Sequence, residues 1–345
     1  MFAAAAFGIA AAAYLFIVML DPYGLRTAPG RAPTPIMDLN QRFMYPQVVR
    51  SGRYDAAIFG TSTIRLLDPL RLGQAFEARF ANLGLNAGTP WEQVQLASLF
   101  LRHVPAPKAL VFGIDMTWCE ADADTERKRL TPRAFPPWLY DDDPLDDYPK
   151  LLNARSLEIA GRVLLNRLGL MPERIRGDGY EIFVPAEVRY DLGRARLHIW
   201  GVGGPHPITP EESPAVLKET ERAAMAMPAL AWLDDLLGRT PSRTMRILLF
   251  TPVHVAFLPR PGSLEAARDA ECKRRVADIA RRRGATLVDF RNPSPVTTED
   301  SNFWDPLHYR IGVAKRLVGA LKQARDSGRD AEDGFYRVLA RPALN

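Results

Sequence analysis

The 345-residue sequence predicts an α/β protein, a three-layer α/β/α sandwich on a mainly parallel sheet, and three observations carry that reading. Short apolar runs at 55–59, 108–115, 244–250 and 284–290 each stop abruptly, as strands buried on both faces do. Segments with helical spacing of apolar residues separate several of them, and strand, helix, strand in succession is the signature of a doubly wound sheet. With 47% hydrophobic and 25% charged residues, the chain can bury a sizeable core.

Residues 2–20 carry no charge and are rich in Ala, Phe, Ile and Leu, close to the roughly 20 residues that cross a hydrocarbon core. The expectation is an uncleaved transmembrane anchor over 1–21. A cleavable signal peptide is the rival; it would want a basic start and a small-residue site after the apolar stretch, whereas Val18-Met19-Leu20-Asp21 stands there. Arg26, Arg31 and Arg42 follow the span and no Lys or Arg precedes it, so the positive-inside count points against an exported body. Residues 22–46, rich in Pro and Gly, read as a tether. The globular body begins near Gln47 and runs to 330, ahead of a tail at 331–345.

Within the body, Asp55-Ala-Ala-Ile-Phe-Gly-Thr-Ser-Thr-Ile-Arg65 reads as a buried strand that delivers Ser62 to a strand-to-helix turn. Residues 66–76 are weakly helical, and residues 79–90 hold a second strand running into a glycine turn. Thr89-Pro90-Trp91-Glu92 is a helix start: Thr89 caps, Pro90 suits the first position and Glu92 completes a capping box. The strand at 108–115 follows. From 116 to 240 the pattern loosens into an insertion over the active edge, with a helix near 156–168, a hairpin over 180–200 and a helical stretch at 215–237 broken at Pro228. Its run Asp141-Asp142-Asp143-Pro144 fits no calcium loop and reads as a solvated acidic loop. Strands at 244–252 and 284–290 flank a basic helix over 263–283, and a last helix covers 311–324. The result is a flavodoxin-like sheet of five strands.

The formal charge of +5 suits anionic polymers or lipid headgroups, but no aromatic-plus-basic motif accompanies it, which excludes nucleic acid from the expected partners. Cys119 and Cys272 lack metal-type spacing; a disulfide between them is open but not implied.

Asp305 and His308 follow the final strand, at the carboxyl edge that a parallel sheet also gives Ser62. A histidine three residues after an aspartate can turn one ring nitrogen to the carboxylate and leave the other for a hydroxyl proton. Taken singly, Ser62 reads as a turn or cap residue, Asp305 as a helix cap and His308 as a loop histidine. Taken together at strand ends, they read as a catalytic Ser-Asp-His set needing no metal or organic cofactor.

These residues resemble the blocks of the SGNH/GDSL hydrolases. Gly60-Thr61-Ser62 is similar to the family's nucleophile turn, Asp305-Pro306-Leu307-His308 to its last block, and Asn82-Leu83-Gly84-Leu85-Asn86-Ala87-Gly88 to its second. The likeness covers 55–120 and 244–325. It implies an acyl-serine mechanism with the Ser62 and Gly88 amides as oxyanion donors; Ala87-Gly88 stands where Gly-Ala is usual, so the donor is Gly88 or Ala87, with the Asn86 side chain a further alternative. The third block usually carries Gly-x-Asn-Asp, whereas Gly113-Ile114-Asp115 stands here, and a carboxylate cannot donate unless protonated. The N-terminal span and Asn40-Gln41-Arg42 resemble bacterial anchored members. That implies an inner-membrane protein with a periplasmic body, acting beside a membrane-bound O-acyltransferase on an acylated envelope polysaccharide or lipid-linked glycan. A catalytically silent binding or scaffold protein of the same fold is the alternative, motivated by Asp115.

Overall fold

The computed structural model describes residues 1–31, 33–143 and 145–342. Ala32 of the expected tether, Pro144 of the acidic run and residues 343–345 of the expected tail lie outside the described residues. Strands β1 (Ala56–Phe59), β2 (Phe80–Asn82), β3 (Ala109–Ile114), β4 (Met245–Phe250), β5 (Thr286–Asp289) and β6 (Arg337–Ala340) form one sheet. Their order is β2-β1-β3-β4-β5-β6. The first five are parallel, and β6 runs antiparallel to β5 with Val338 opposite Val288.

Successive strand residues alternate between two cores, because side chains along a strand point to opposite faces. Ala57, Phe59, Leu110, Phe112, Leu248 and Phe250 enter one. Ala56, Ile58, Val111, Ile247, Leu249 and Val288 enter the other. Both faces are therefore covered, and the carboxyl ends of the five parallel strands are left at one edge.

Four sequence expectations change. The sheet has six strands, not five: the expected tail supplies β6, held by buried Phe335 and Tyr336, with Phe335 packed on Phe290 at 5.0 Å between ring centroids. The hairpin expected over 180–200 gives way to the helix Leu192–Trp200, because Asp191 accepts the Arg194 N–H at 2.9 Å and caps it. Residues 22–46 do not hang free as a tether; Tyr23, Met37, Met44 and Tyr45 are fully buried. The body also begins before Gln47, at the helix Gln41–Arg50, whose first turn is capped by Asn40. Aromatic and Met side chains between the prolines supply the apolar area that docks this stretch.

The helix Phe2–Leu20 has a mean hydropathy of 2.3 and stands almost wholly outside the core, with only Ile17 and Leu20 buried. It is long and apolar enough to cross a membrane, and a signal sequence would pass the same test. Its end is fastened to the body: the Asp21 carboxylate accepts from the Leu25 and Arg26 amides at 2.7 and 3.0 Å. Cys119 and Cys272, left open by the sequence, form a disulfide that joins the 3-10 turn Met116–Cys119 after β3 to the helix Leu264–Arg282.

Candidate active site

The end of β1 is shaped by a glycine. Gly60 has φ of +152°, and a Cβ there would lie 2.9 Å from Ile64 Cγ2 and 3.1 Å from the Gly113 carbonyl oxygen. Only glycine lets the chain turn this close to β3. Ser62 then opens the 3-10 turn Ser62–Ile64, so its own N–H has no acceptor one turn back.

The loop that brings His308 is closed on itself before it reaches Ser62. Phe303 and Tyr309 bridge antiparallel, and the Trp304 N–H donates to the His308 carbonyl at 2.8 Å. Asp305 Oδ1 accepts from the Leu307 and His308 amides at 2.8 and 2.9 Å, which fixes the carboxylate. Its Oδ2 lies 2.7 Å from His308 Nδ1, and His308 Nε2 lies 2.9 Å from Ser62 Oγ. The network calls for a proton on Nδ1, leaving Nε2 to accept from the serine. Burial pushes the Asp305 carboxyl up, but the hydrogen bond and charge of His308 and the two amides outweigh it, and the carboxyl sits below its usual range. The buried Tyr309 hydroxyl donates to the Thr63 carbonyl and ties the two loops together.

Ser62, Asp305 and His308 are thus brought together. Gly88 is brought to the same cleft, but its N–H donates to the Leu85 carbonyl at 3.1 Å, closing a turn in which Ala87 has φ of +49°. That bond corrects the expectation of a free Gly88 donor. The Ala87 N–H has no acceptor among the described residues, and Ala87 also lines the cleft. Asp115 accepts from the Thr117 amide at 3.0 Å and from the Thr117 hydroxyl, so it caps the turn Met116–Cys119 and forms wall, not an oxyanion donor. The cleft is a cavity of about 490 Å³ floored by Ser62 and walled by Asp115, Phe257, Arg291 and Leu307.

Several side chains around the site escape sequence reasoning. Phe183, from the stretch between β3 and β4, stands edge-on to the His308 ring at 5.2 Å. Arg42 donates to Glu92 at 2.7 and 2.6 Å and to the Asn86 carbonyl at 3.2 Å, so a fully buried ion pair holds the Asn86-Ala87-Gly88 turn. The capping box expected at Thr89 and Glu92 is formed by the same glutamate. Arg291 follows β5 at the carboxyl edge, a position that could have flagged it.

His254 supports the Asp305–His308 loop from behind. Its N–H donates to the Pro306 carbonyl at 2.8 Å, its Nδ1 accepts from the Ala256 amide at 3.1 Å, and its ring packs on Trp200 and Phe303. Its Nε2 is 3.1 Å from Asp300 Oδ1, near but not aligned as a hydrogen bond. Burial lowers the His254 pKa, Asp300 opposing. Because the folded value lies below the unfolded value of about 6.5, the unfolded chain binds more protons just below that pH. Stability is expected to be full above about pH 6.5 and to fall as pH drops through the window beneath it. Thermal unfolding against pH checks this, with a shallower fall expected in His254→Gln.

Among the described residues, the carboxylates of Asp141, Asp146 and Asp147 form a grouping of metal-ligand type, with oxygens within 4.8 Å of one another. Asp146 is paired with Lys150 at 2.6 Å, and none of the three lines the Ser62 cleft. No protein-family model matches the chain, and no curated protein matches it.

Proposed function

We propose that this chain is a membrane-anchored serine esterase or O-acyltransferase of SGNH type, acting on acyl esters, with acetyl groups of an envelope polysaccharide or glycolipid as the substrate class. One observation carries the reading: His308 lies 2.9 Å from the Ser62 hydroxyl and 2.7 Å from Asp305, at the mouth of a cleft on the sheet's carboxyl edge. His308 Nε2 takes the Ser62 proton as Oγ attacks the ester carbonyl, and Asp305 holds the ring's tautomer and balances the imidazolium. His308 then returns the proton to the departing alcohol, leaving an acyl-serine. Water or a sugar hydroxyl, deprotonated by His308 in turn, releases the acyl group. The Ser62 and Ala87 amides are the donors to the oxyanion in this reading.

The strand order 2-1-3-4-5 with both faces covered supports a flavodoxin-like three-layer body. The apolar helix supports an inner-membrane anchor, and the Cys119–Cys272 disulfide supports a body on the oxidising, periplasmic side. A membrane-bound O-acyltransferase is the fitting partner, since an anchored acyl carrier needs an acyl donor across the membrane.

A second reading, a silent binding module in a polysaccharide-modifying complex, is favoured by the closed Gly88 amide and the occupied Asp115 carboxylate, which leave few oxyanion donors. A fluorophosphonate probe separates the two. Labelling confined to the Ser62 peptide is the expected result; an unmarked Ser62 in folded protein favours the silent module.

A further inference from the structure

We propose that Arg291 is the subsite for an anionic group, a carboxylate or a phosphate, carried by the glycan beside the scissile ester. The inference rests on the acyl-serine reading of Ser62 for its chemistry, but its binding test stands apart from that reading.

Arg291 is 5% exposed, and its guanidinium has no hydrogen-bond or ion-pair partner among the described residues, with Nε fully enclosed and unsatisfied. It lines the same cleft as Ser62. Every other charged side chain of that cleft is engaged: Glu120 pairs with Lys128 at 2.6 Å, and Asp115 accepts from Thr117. Asp305, which does not line the cleft, is taken by His308.

The neighbouring carboxylates pair with Lys273 rather than with the Arg291 guanidinium, and Asp269 Oδ1 is left without a partner among the described residues. Lys273 donates to the Arg291 carbonyl at 2.7 Å and pairs with Asp289 at 2.9 Å and Asp269 at 3.3 Å. Asp289 gives Arg291 only an acceptor for its backbone N–H, at 2.8 Å. A buried guanidinium with none of its donors engaged among the described residues is costly unless something completes it. A planar fork of donors facing a cavity is suited to a carboxylate or phosphate held by two hydrogen bonds.

The position explains the arrangement. Arg291 follows β5 as Ser62 follows β1, so both project from the carboxyl edge of one sheet. Arg291 also borders a second cavity of about 560 Å³ with Lys273, Leu258 and Pro293. It therefore stands where a chain seated at Ser62 would continue, and an acidic residue of that chain would meet it.

The test uses the full-length protein and three acetylated oligosaccharides of equal length: neutral, bearing uronate carboxylates, and bearing phosphates. The expected result is a kcat/KM higher for one of the anionic esters, the uronate and phosphate arms telling which source supplies the charge. In Arg291→Gln the ratio of that kcat/KM to the neutral one falls about 10- to 100-fold; in Arg291→Lys, which keeps the charge but not the fork, it falls less. A ratio near unity in the native protein, or a ratio that Arg291→Gln leaves unchanged, overturns the proposal. Melting temperatures run alongside; should Arg291→Gln not fold, the ratio in Arg291→Lys decides, and no fall there overturns it. If no ester is turned over and Ser62 stays unlabelled, the acyl-serine reading fails by itself. Calorimetric titration with the deacetylated anionic oligosaccharides then decides the subsite: binding weakened about 10-fold or more by Arg291→Gln upholds it, and absent or unaltered binding overturns it.

Discussion

Ser62→Ala is expected to lower kcat on an aryl acetate by about 10⁴-fold or more, with the fold and melting temperature little changed. The side chain is a half-buried hydroxyl that, among the described residues, hydrogen-bonds only His308, so its removal leaves a ring nitrogen that the open cleft can hydrate. Asp305→Asn is expected to cost about 10³-fold or more, since an amide in place of the carboxylate invites the wrong imidazole tautomer. Because Asp305 Oδ1 also receives two backbone amides, the asparagine oxygen can keep the loop closed while its NH₂ faces Nδ1. Steady-state kinetics with circular dichroism on the same samples reads both effects. Activity in Ser62→Ala close to that of the native protein would remove the nucleophile from the account.

The second large effect is expected at Arg42, which lies behind the turn that carries Ala87. Arg42→Ala should lower the unfolding free energy by about 3–5 kcal/mol, because it strands the Glu92 carboxylate, itself fully buried, without its counter-charge. The same change frees the Asn86 carbonyl and the turn that carries Ala87, so activity should fall in the fraction that remains folded. Arg42→Met with Glu92→Leu should recover much of the stability, since an apolar pair of similar volume leaves no buried charge. Urea unfolding of the single and double variants checks the sign; a double variant less stable than Arg42→Ala would show that the pair is worth more than its desolvation.

Much of the sheet could be read from local pattern. Ala56–Phe59, Ala109–Ile114 and Met245–Phe250 are buried on both faces, and a continuous apolar run records that environment directly. The Ser62 turn and the Asp305–His308 spacing were also local, and the distance between them followed from strands sharing one edge. What escaped was set by distant partners. Arg337–Ala340 pairs with β5 through a register no local pattern marks, and Tyr23 and Met37 look like linker residues until the surface that buries them is known. Asp191 reads equally as a turn residue and as a helix cap, so nothing local set the helix Leu192–Trp200 apart from the hairpin expected over 180–200. The Gly88 amide illustrates the limit within the site: its residue type and place were predictable, but its hydrogen bond to Leu85 depends on the φ of Ala87.

The central claim is a covalent acyl group on Ser62. Peptide mass spectrometry of protein quenched in acid during the first turnover of an aryl acetate tests it most directly. The account predicts an acetyl group on the peptide carrying Ser62, absent from Ser62→Ala and accumulating in a burst when the acceptor is withheld. Turnover of the ester with Ser62 unmodified throughout, or acetyl confined to lysines of the surface, would contradict it.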